Sequence, residues 1–402
     1  MRAAFKGALA LELHSKLPKV GTTIFTVMSQ LAMQHQAVNL GQGFPDFEGP
    51  QALRDALVHH LNHGRNQYAP MMGVARLREQ IALKTERLYG RKTDPDSEVT
   101  VVSGASEALY VAIAATIHAG DEVILLDPCY DSYEPAIVLA GGVAVHVPLT
   151  APSFAPDWDR VRAAITPRTR MILTCSPHNP TGAMLTRADL DELADITRSH
   201  DLLLLSDEVY EHITFDGLLH ESVLKHPELA ERSFVVSSFG KTYHITGWKV
   251  GYCVAPKALT AEFRKVHQYL TFCTFNAAQW ALADYLESDP QHYLDLPAFY
   301  QAKRDAFTEA LAPSRFKLLT VQGAYFQLAD YSQISARFGP QQTPVAELDD
   351  LAFSRWLTAE VGVAAIPISA FYEQPPAQKL VRFCFAKQTA TLNAAAERLC
   401  AI

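Results

Sequence analysis

The chain has 402 residues, of which 49% are hydrophobic and 19% charged, values typical of a globular protein that is large enough for two domains. The formal net charge of −8 argues against nucleic acid or an anionic membrane as the main partner, although it leaves room for a locally basic pocket. The six scattered cysteines contain no CxxC pair, so we expect reduced thiols in a cytoplasmic protein, without a disulfide framework or a zinc site.

The first residues, MRAAFKGALALELH, contain an apolar run that could belong to a signal peptide. Lys6 and Glu12 interrupt this run, and no small-residue cleavage site follows it. Further along the chain, no apolar stretch reaches the length of a membrane span. We therefore expect a flexible tail over residues 1–15 of a protein that does not enter a membrane.

Strand-like and helix-like segments alternate through the middle of the chain. Strand patterns fall at residues 99–102, 122–126, 170–174, 202–205, 234–237 and 250–255, and helical patterns at 107–117, from 133 onward and at 187–200. The strand patterns are continuously apolar, which is typical of parallel strands that are buried on both faces. The alternation predicts an α/β fold with a mostly parallel, doubly wound sheet.

The pattern changes after about residue 284. A long, more polar helical pattern covers residues 293–311, strand patterns lie near 324–329, 364–368 and 380–385, and a final helix follows. These features predict a smaller α+β domain. The segment 335–350 contains Gly, Pro and Gln with little periodicity, so we expect a surface loop or lid there.

Residues 237–252, SSFGKTYHITGWKVGY, contain a Gly-Lys-Thr that could belong to a nucleotide phosphate loop. Such a loop requires another glycine five residues before Gly240, where this chain has Val235 inside a strand pattern. The spacing therefore argues against a phosphate loop. It leaves Lys241 as a candidate for covalent chemistry, because desolvation and nearby positive charge can make a lysine amine nucleophilic.

Other polar groups follow predicted strands and should meet at the carboxyl edge of the sheet. Residues 103–106, SGAS, open a helix and suit a phosphate, although an ordinary turn with Ser103 as helix cap explains them equally well. Asp207 could pair with a ligand cation or cap a helix. Asn179 lies between two prolines, either as a rigid hydrogen-bonding group or simply within a tight turn. His178 has no second ligand at a useful spacing, so we expect no metal site there.

One ligand, pyridoxal phosphate, would use all of these groups. Its phosphate suits a helix N-terminus, and its aldehyde reacts with a lysine. A carboxylate that keeps the pyridine nitrogen protonated makes the ring an electron sink for the carbanion at the substrate's Cα.

The chain resembles the fold-type I, class I/II pyridoxal-phosphate aminotransferases from about residue 16 to its end, with most similarity to the methionine and kynurenine aminotransferase branch. The stretches that carry the resemblance are NLGQGFPDF (39–47), NQYAP (66–70), SGASEAL (103–109), DPCYDSYEP (127–135), SPHNPTG (176–182), SDEVYEH (206–212), residues 237–252 and VRFCF (381–385). The resemblance implies a tail, an N-terminal segment that joins the small domain, a large cofactor-binding domain and a small C-terminal domain. Their expected bounds are 1–15, 16–46, 47–284 and 285–402.

The resemblance also implies roles for the residues that match. Lys241 would be the Schiff-base lysine and proton shuttle, and Asp207 would pair with the pyridinium nitrogen. Tyr210 and Asn179 would hydrogen-bond the ring oxygen, and Tyr130 would stack on the ring. The phosphate would be held by Ala105, Ser106, Ser238, Lys249 and, from the partner subunit, Tyr68. This last contact implies a homodimer with active sites that are shared across the interface.

For the substrate, the resemblance implies that Arg382 binds the α-carboxylate through its planar fork and that Gly43 brings backbone close, beside Asn179. The candidate walls of the pocket are Phe25, Phe371 and, from the partner subunit, Phe272. Aromatic walls favour methionine, phenylalanine, histidine or a kynurenine-like amino acid. We find no clear second arginine for aspartate. Considered one at a time, Lys249 or Arg382 could be a structural cation. Tyr130 could be an ordinary core residue, and Gly43 could simply form a turn.

Three positions depart from the kynurenine-processing relatives. Phe25 stands where those relatives often have tryptophan, Ser106 where they tend to have tyrosine, and Cys273 lies near the place of a histidine. These departures favour the methionine-type relatives over a preference for kynurenine itself.

The implied reaction is a ping-pong transamination through Lys241, in which an amino acid becomes its 2-oxo acid and a 2-oxo acid acceptor takes the amino group. A cysteine-conjugate or C–S β-lyase on the same scaffold would use the same lysine and arginine, so it remains an alternative. A non-catalytic ligand sensor would need a DNA-binding domain before the fold, and the position of the first motifs and the net charge argue against it.

Overall fold

The computed structural model describes residues 13–338 and 342–402. Most of the predicted tail over residues 1–15 lies outside these ranges, and residues 13–15 have no regular secondary structure. Among the described residues, none of the helices combines the length and the hydropathy that a membrane span requires.

Helices and strands alternate along most of the chain. The α-helices are α1 (Ile24–Gln34), α2 (Gln51–Asn62), α3 (Ala75–Tyr89), α4 (Ala105–Thr116), α5 (Tyr133–Leu139), α6 (Trp158–Ala163), α7 (Arg187–Ser199), α8 (Pro227–Ala230), α9 (Phe239–Thr242), α10 (Lys257–Leu270), α11 (Asn276–Ser288), α12 (Gln291–Leu311), α13 (Asp350–Trp356) and α14 (Thr389–Cys400). The strands are β1 (Val38–Asn39), β2 (Val99–Val102), β3 (Glu122–Asp127), β4 (Val143–Pro148), β5 (Thr169–Cys175), β6 (Leu203–Asp207), β7 (Ser233–Ser238), β8 (Gly251–Val254), β9 (Lys317–Leu318), β10 (Phe326–Asp330), β11 (Arg337–Phe338), β12 (Thr343–Pro344), β13 (Val363–Ala364), β14 (Ile366–Pro367) and β15 (Leu380–Cys384).

The main sheet has seven strands in the order β2-β8-β7-β6-β5-β3-β4. All neighbouring pairs are parallel except the two that involve β8. Strands β2, β3, β7 and β8 are buried along their whole length, since helices cover both faces of the sheet. The prediction of a mostly parallel α/β sheet is confirmed.

Strand β4 does not appear in the sequence-based prediction. It pairs only with β3 and forms one edge of the sheet. Most of its residues are exposed or partly exposed. Its sequence VAVHVP does not need the continuous apolar run that marks the buried strands, because an edge strand is not covered on all sides.

A smaller antiparallel sheet has the order β14-β15-β10-β9 and lies late in the chain, as predicted. The parallel pairing of Val38 with Val363 connects the N-terminal segment to this part of the chain. The predicted loop over residues 335–350 contains the short antiparallel pair β11–β12, which is too short to leave a period in the sequence. The domain bounds remain a prediction.

The main sheet brings its functional strand ends to one edge. Cys175 at the end of β5 pairs with Asp207 at the end of β6. Gly251 pairs with both Val102 of β2 and Ser238 of β7, so the segments after those two strands are neighbours. A Cβ at Gly251 would lie 3.1 Å from the Ala105 nitrogen and 2.7 Å from the Ser237 oxygen, which explains why only glycine fits there.

Two glycines with nearly equal backbone conformations allow a matched test of packing around the Asn179 turn. Replacement of either Gly182 (φ +73°) or Gly217 (φ +74°) by alanine should lower the free energy of unfolding by about 1–2 kcal/mol, because both residues lie in the left-handed region. A Cβ at Gly182 would also lie 2.8 Å from Val321 Cγ1, whereas nothing lies within 4 Å at Gly217. We therefore expect Gly182→Ala to lower the free energy of unfolding by about 1–3 kcal/mol more than Gly217→Ala. Equal losses in denaturant titrations of the two variants would contradict this packing.

Candidate active site

A cavity of about 370 Å³ lies at the carboxyl edge of the seven-stranded sheet. It is lined by residues from the ends of five strands, β2, β3, β5, β6 and β7, or from the segments that follow them, together with residues of α1, β10 and β15 and residues 42–44. The predicted site residues that line it are Phe25, Gly43, Ala105, Ser106, Tyr130, Asn179, Asp207, Tyr210, Ser238, Lys241, Lys249 and Arg382. The fold thus brings most of the predicted site together, although these residues are far apart in the sequence.

Lys241 lies in the short helix α9, directly after β7. Its Nζ donates a hydrogen bond to the Gly43 carbonyl oxygen at 3.1 Å and lies 5.7 Å from the ring centroids of Tyr210 and Tyr325. Burial lowers the pKa of Lys241 to about 8, and the positive charges of Arg382 and Lys249 act in the same direction. A large fraction of this amine is therefore neutral near pH 8 and able to act as a nucleophile or to accept a proton.

Asp207 is the buried carboxylate of the cavity and ends β6. Its Oδ2 accepts a hydrogen bond of 2.7 Å from the Tyr133 hydroxyl, and its Oδ1 accepts one of 3.3 Å from the Val209 N–H. Burial raises the pKa of Asp207 to about 6, although both hydrogen bonds and the charge of Lys241 oppose that rise. Within the described part of the chain it has no cation within 4.0 Å, so a cationic ligand atom would stabilise its ionised form.

Arg382 lies on β15 with only 1% of its surface exposed. Its Nη1 donates to the Asn179 Oδ1 at 2.7 Å and its Nη2 to the Gly41 oxygen at 2.9 Å. Its Nε has no hydrogen-bond partner among the described residues, and no carboxylate of those residues lies within 4.0 Å of the guanidinium. Burial lowers the pKa of Arg382, and an anion beside this group would offset part of the free energy that its desolvation costs.

The faces of aromatic rings surround the same guanidinium. Its Cζ lies 4.0 Å from the ring centroid of Phe326, 5.1 Å from that of Phe371 and 5.3 Å from that of Phe25. Phe326 was not predicted as a site residue, because its strand pattern does not indicate which face meets the cavity. Phe371, which was predicted as a wall, contacts Phe25 edge-on at a ring distance of 5.9 Å and lines a neighbouring cavity.

Another part of the cavity lining, at the start of α4, offers an anion site. Helix α4 begins at Ala105, and the N–H groups of Ala105 and Ser106 have no hydrogen-bond partner among the described residues, whereas the Glu107 N–H donates to the Gly104 oxygen at 3.1 Å. Gly104 is the residue before this helix and makes no side-chain cap, so the interpretation of Ser103 as the cap is wrong. A Cβ on Gly104 would lie 3.2 Å from the Lys249 Nζ, which places that ammonium over the helix start.

Tyr68 and Phe272 do not line this cavity. They lie at the surface, where 83% and 37% of their side chains are exposed, and their ring centroids are 5.3 Å apart. Both residues were predicted to act in the partner subunit's site, which one chain does not test.

Tyr133 is a site residue that the sequence analysis missed. It opens α5, is buried, and lines the cavity while it donates to Asp207. Its sequence signal is its position three residues after Tyr130, which brings both side chains to the start of the same helix, with ring centroids 5.7 Å apart.

The donor set fits pyridoxal phosphate. The Lys249 ammonium lies beside the free N–H groups of α4, a lysine of lowered pKa lines the cavity, and so does a buried carboxylate that pairs with no cation of the described residues. A second, separate cation, Arg382, is available for a substrate anion.

Comparisons with known proteins agree with this chemistry. The family model described as aminotransferase class I and II matches residues 35–399. The chain is 55% identical over 386 residues to a methionine aminotransferase of Escherichia coli, a match that covers 96% of this chain and 97% of that protein. It is 36% identical over 408 residues to a kynurenine–oxoglutarate transaminase of Dictyostelium discoideum, with 94% of each chain covered. A crystal structure of an Escherichia coli protein with methionine aminotransferase function superposes with a TM-score of 0.93 at 55% identity, over 98% of this chain and 100% of that one.

The lowered pKa of Lys241 gives a direct titration test. After removal of any bound cofactor, the lysines can be reductively methylated with ¹³C-formaldehyde, and the NMR signal absent from Lys241→Arg identifies this side chain. We expect its titration midpoint near pH 8, where an ordinary lysine titrates at about 10.4. The midpoint should rise in Lys249→Gln, because the charge of Lys249 lowers the Lys241 pKa. A midpoint above 10 in the unsubstituted protein would contradict the described burial.

Proposed function

The chain belongs to the class I and II aminotransferase family, and we propose that it uses pyridoxal phosphate to transfer the amino group of an apolar or aromatic L-amino acid, methionine first, to a 2-oxo acid. The observation that carries the proposal is the buried Arg382, whose Nε is unpaired and which faces the same cavity as the low-pKa Lys241. One group can bind a substrate carboxylate while the other acts on the neighbouring Cα.

Bound pyridoxal phosphate supplies an electron sink that stabilises negative charge at the substrate's Cα. We assign its phosphate to Lys249, Ser106, Ser238 and the first N–H groups of α4, because these groups form the anion site of the cavity. Asp207 would hold the ring nitrogen in its protonated form, since this buried carboxylate pairs with no cation in the part of the chain that the structure describes. Tyr210 and Asn179 would hydrogen-bond the ring oxygen and Tyr130 would stack on the ring.

Lys241 has two tasks in this proposal. Its amine would hold the cofactor covalently through the aldehyde, and as a free amine it would accept and return the proton at the substrate's Cα. Its pKa of about 8 suits both tasks, because neutral and protonated forms are both populated near that pH.

The lining of the cavity favours a substrate whose side chain is uncharged. Arg382 is its one arginine among the described residues, so a second carboxylate of a substrate such as aspartate would have no matching fork. Phe25, Phe44 and Phe326 supply apolar surface. The 55% identity to a methionine aminotransferase, against 36% to a kynurenine–oxoglutarate transaminase, supports methionine over kynurenine.

We further propose a homodimer in which Tyr68 and Phe272 act in the partner's site. These side chains belong to an exposed apolar surface that also includes Tyr269 and Leu270, which are 91% and 48% exposed. An apolar surface of this kind marks an interaction site. The six free cysteines suit a reducing cytoplasm, where we place the protein.

Donor specificity tests the proposal. With one 2-oxo acid acceptor and the purified holoenzyme, we expect kcat/KM for methionine to exceed that for aspartate at least about 100-fold, because an unpaired carboxylate in an apolar pocket costs several kcal/mol. Product 2-oxo acid is measured by chromatography, and Lys241→Ala serves as the control that ties activity to this site.

Two outcomes would contradict the proposal. One is an aspartate rate equal to or above that of methionine. The other is release of ammonia and a 2-oxo acid from a cysteine conjugate without any acceptor, which is the activity of a C–S β-lyase, an alternative that the relatives do not support.

A further inference from the structure

A second cavity, of about 940 Å³, lies beside the first and shares Tyr130 with it. It is bounded by residues 17–24, the start of α5, strand β4 and residues 370–374. Its lining contains a group of titratable side chains that the transamination chemistry does not use.

Glu134, His146 and Glu373 form this group. They come from α5, from β4 and from the segment after Phe371, and their ligand atoms all lie within 4.8 Å of one another. His146 Nε2 lies 3.9 Å from a Glu134 oxygen, which is too long for a hydrogen bond. This nitrogen is buried and has no hydrogen-bond partner among the described residues.

One buried carboxylate, Asp127, orients two members of the group. Its Oδ1 lies 2.9 Å from His146 Nδ1, and its Oδ2 accepts a hydrogen bond of 3.0 Å from the Glu373 N–H. With its proton on Nδ1, the imidazole directs the Nε2 lone pair toward two carboxylates. This carboxylate–histidine arrangement is the one that supports metal-ligating histidines. Cys129 forms a second group with Asp127 and His146, whose ligand atoms also lie within 4.8 Å of one another, but Asp127 already occupies the Nδ1 side of the ring.

We propose that Glu134, His146 and Glu373 bind one divalent transition-metal ion of the zinc class. Zinc takes imidazole and carboxylate ligands at about 2.0–2.2 Å, so its tetrahedral ligand atoms lie about 3.4 Å apart. The observed 3.9 Å between His146 and Glu134 closes to that distance with a small rotation of the partly exposed glutamate. Three protein ligands leave the fourth position for water in the cavity. The imidazole makes Mg²⁺, which prefers oxygen ligands, a poorer fit.

Lys19 is the competitor for this ion. Its Nζ lies 2.7 Å from Glu373 Oε1, and its side chain is 72% exposed. An exposed pair of this kind contributes little stability, so a divalent ion can displace the ammonium.

Calorimetric titration of the holoenzyme with ZnCl₂ tests the site in a buffer that does not bind zinc. We expect one ion per chain, with affinity reduced at least about 10-fold in Glu134→Gln and in His146→Gln. His226→Gln is the matched control, since His226 is similarly shielded, at 12% exposure against 15% for His146, and also lies near a carboxylate. Glu134 is one-third exposed, so Glu134→Gln keeps the test valid if the histidine variant fails to fold.

Lys19→Gln should change the zinc affinity in the opposite direction. Removing the competing ammonium should tighten zinc binding at least about threefold, an effect that zinc bound elsewhere on the surface would not show. An unchanged affinity in Lys19→Gln would overturn Glu373 as a ligand. The proposal as a whole would be overturned by no saturable binding, or by binding that survives Glu134→Gln and is lost in His63→Gln, whose ring stacks on that of His59. None of these readouts depends on aminotransferase activity.

Discussion

The structure depends on charged groups that are buried without oppositely charged partners. Arg382 is almost fully buried with no carboxylate within ion-pair distance in the described chain, and Asp207 is buried without a cation. Removing each such ion from water costs several kcal/mol. Hydrogen bonds from Tyr133 to Asp207 and from Arg382 to Asn179, together with the face of Phe326, offset only part of that cost. In the proposed function, the protonated ring nitrogen of the cofactor would pair with Asp207, and the substrate carboxylate would pair with Arg382.

The short segment from Gly41 to Gly43 links the two ends of this arrangement. The Gly41 oxygen accepts from Arg382, and the Gly43 oxygen accepts from both Lys241 and the Tyr325 hydroxyl. The segment lies directly after β1, which pairs with β13. One stretch of backbone outside the seven-stranded and four-stranded sheets therefore accepts hydrogen bonds from both the lysine and the arginine.

Much of the site could be predicted because strand ends are local features of sequence. Asp207 and Lys241 each follow a continuously apolar run, and parallel strands bring such ends to one edge. The contacts between remote segments could not be predicted in this way. Neither the hydrogen bond from Tyr133 to Asp207 nor the cation–π contact between Phe326 and Arg382 leaves a local pattern. Strand β4 was missed because it is an exposed edge strand. The cluster around His146 unites positions from 127 to 373, which no motif spacing reveals.

The most direct test of the account is the effect of Arg382→Lys on methionine turnover, with Arg78→Lys as the control. Arg78 is also a buried arginine, but it donates to the Gly73 carbonyl and pairs with Asp96 away from the cavity. The lysine introduced at position 382 keeps the positive charge but lacks the planar guanidinium that can donate two parallel hydrogen bonds to a carboxylate. The account therefore predicts a fall in kcat/KM of about 10- to 100-fold, mainly through a higher KM, as expected for a lost charge-assisted hydrogen bond. The control should keep its kcat/KM within about twofold. A wild-type kcat/KM in Arg382→Lys would show that the substrate carboxylate binds elsewhere and would contradict the account.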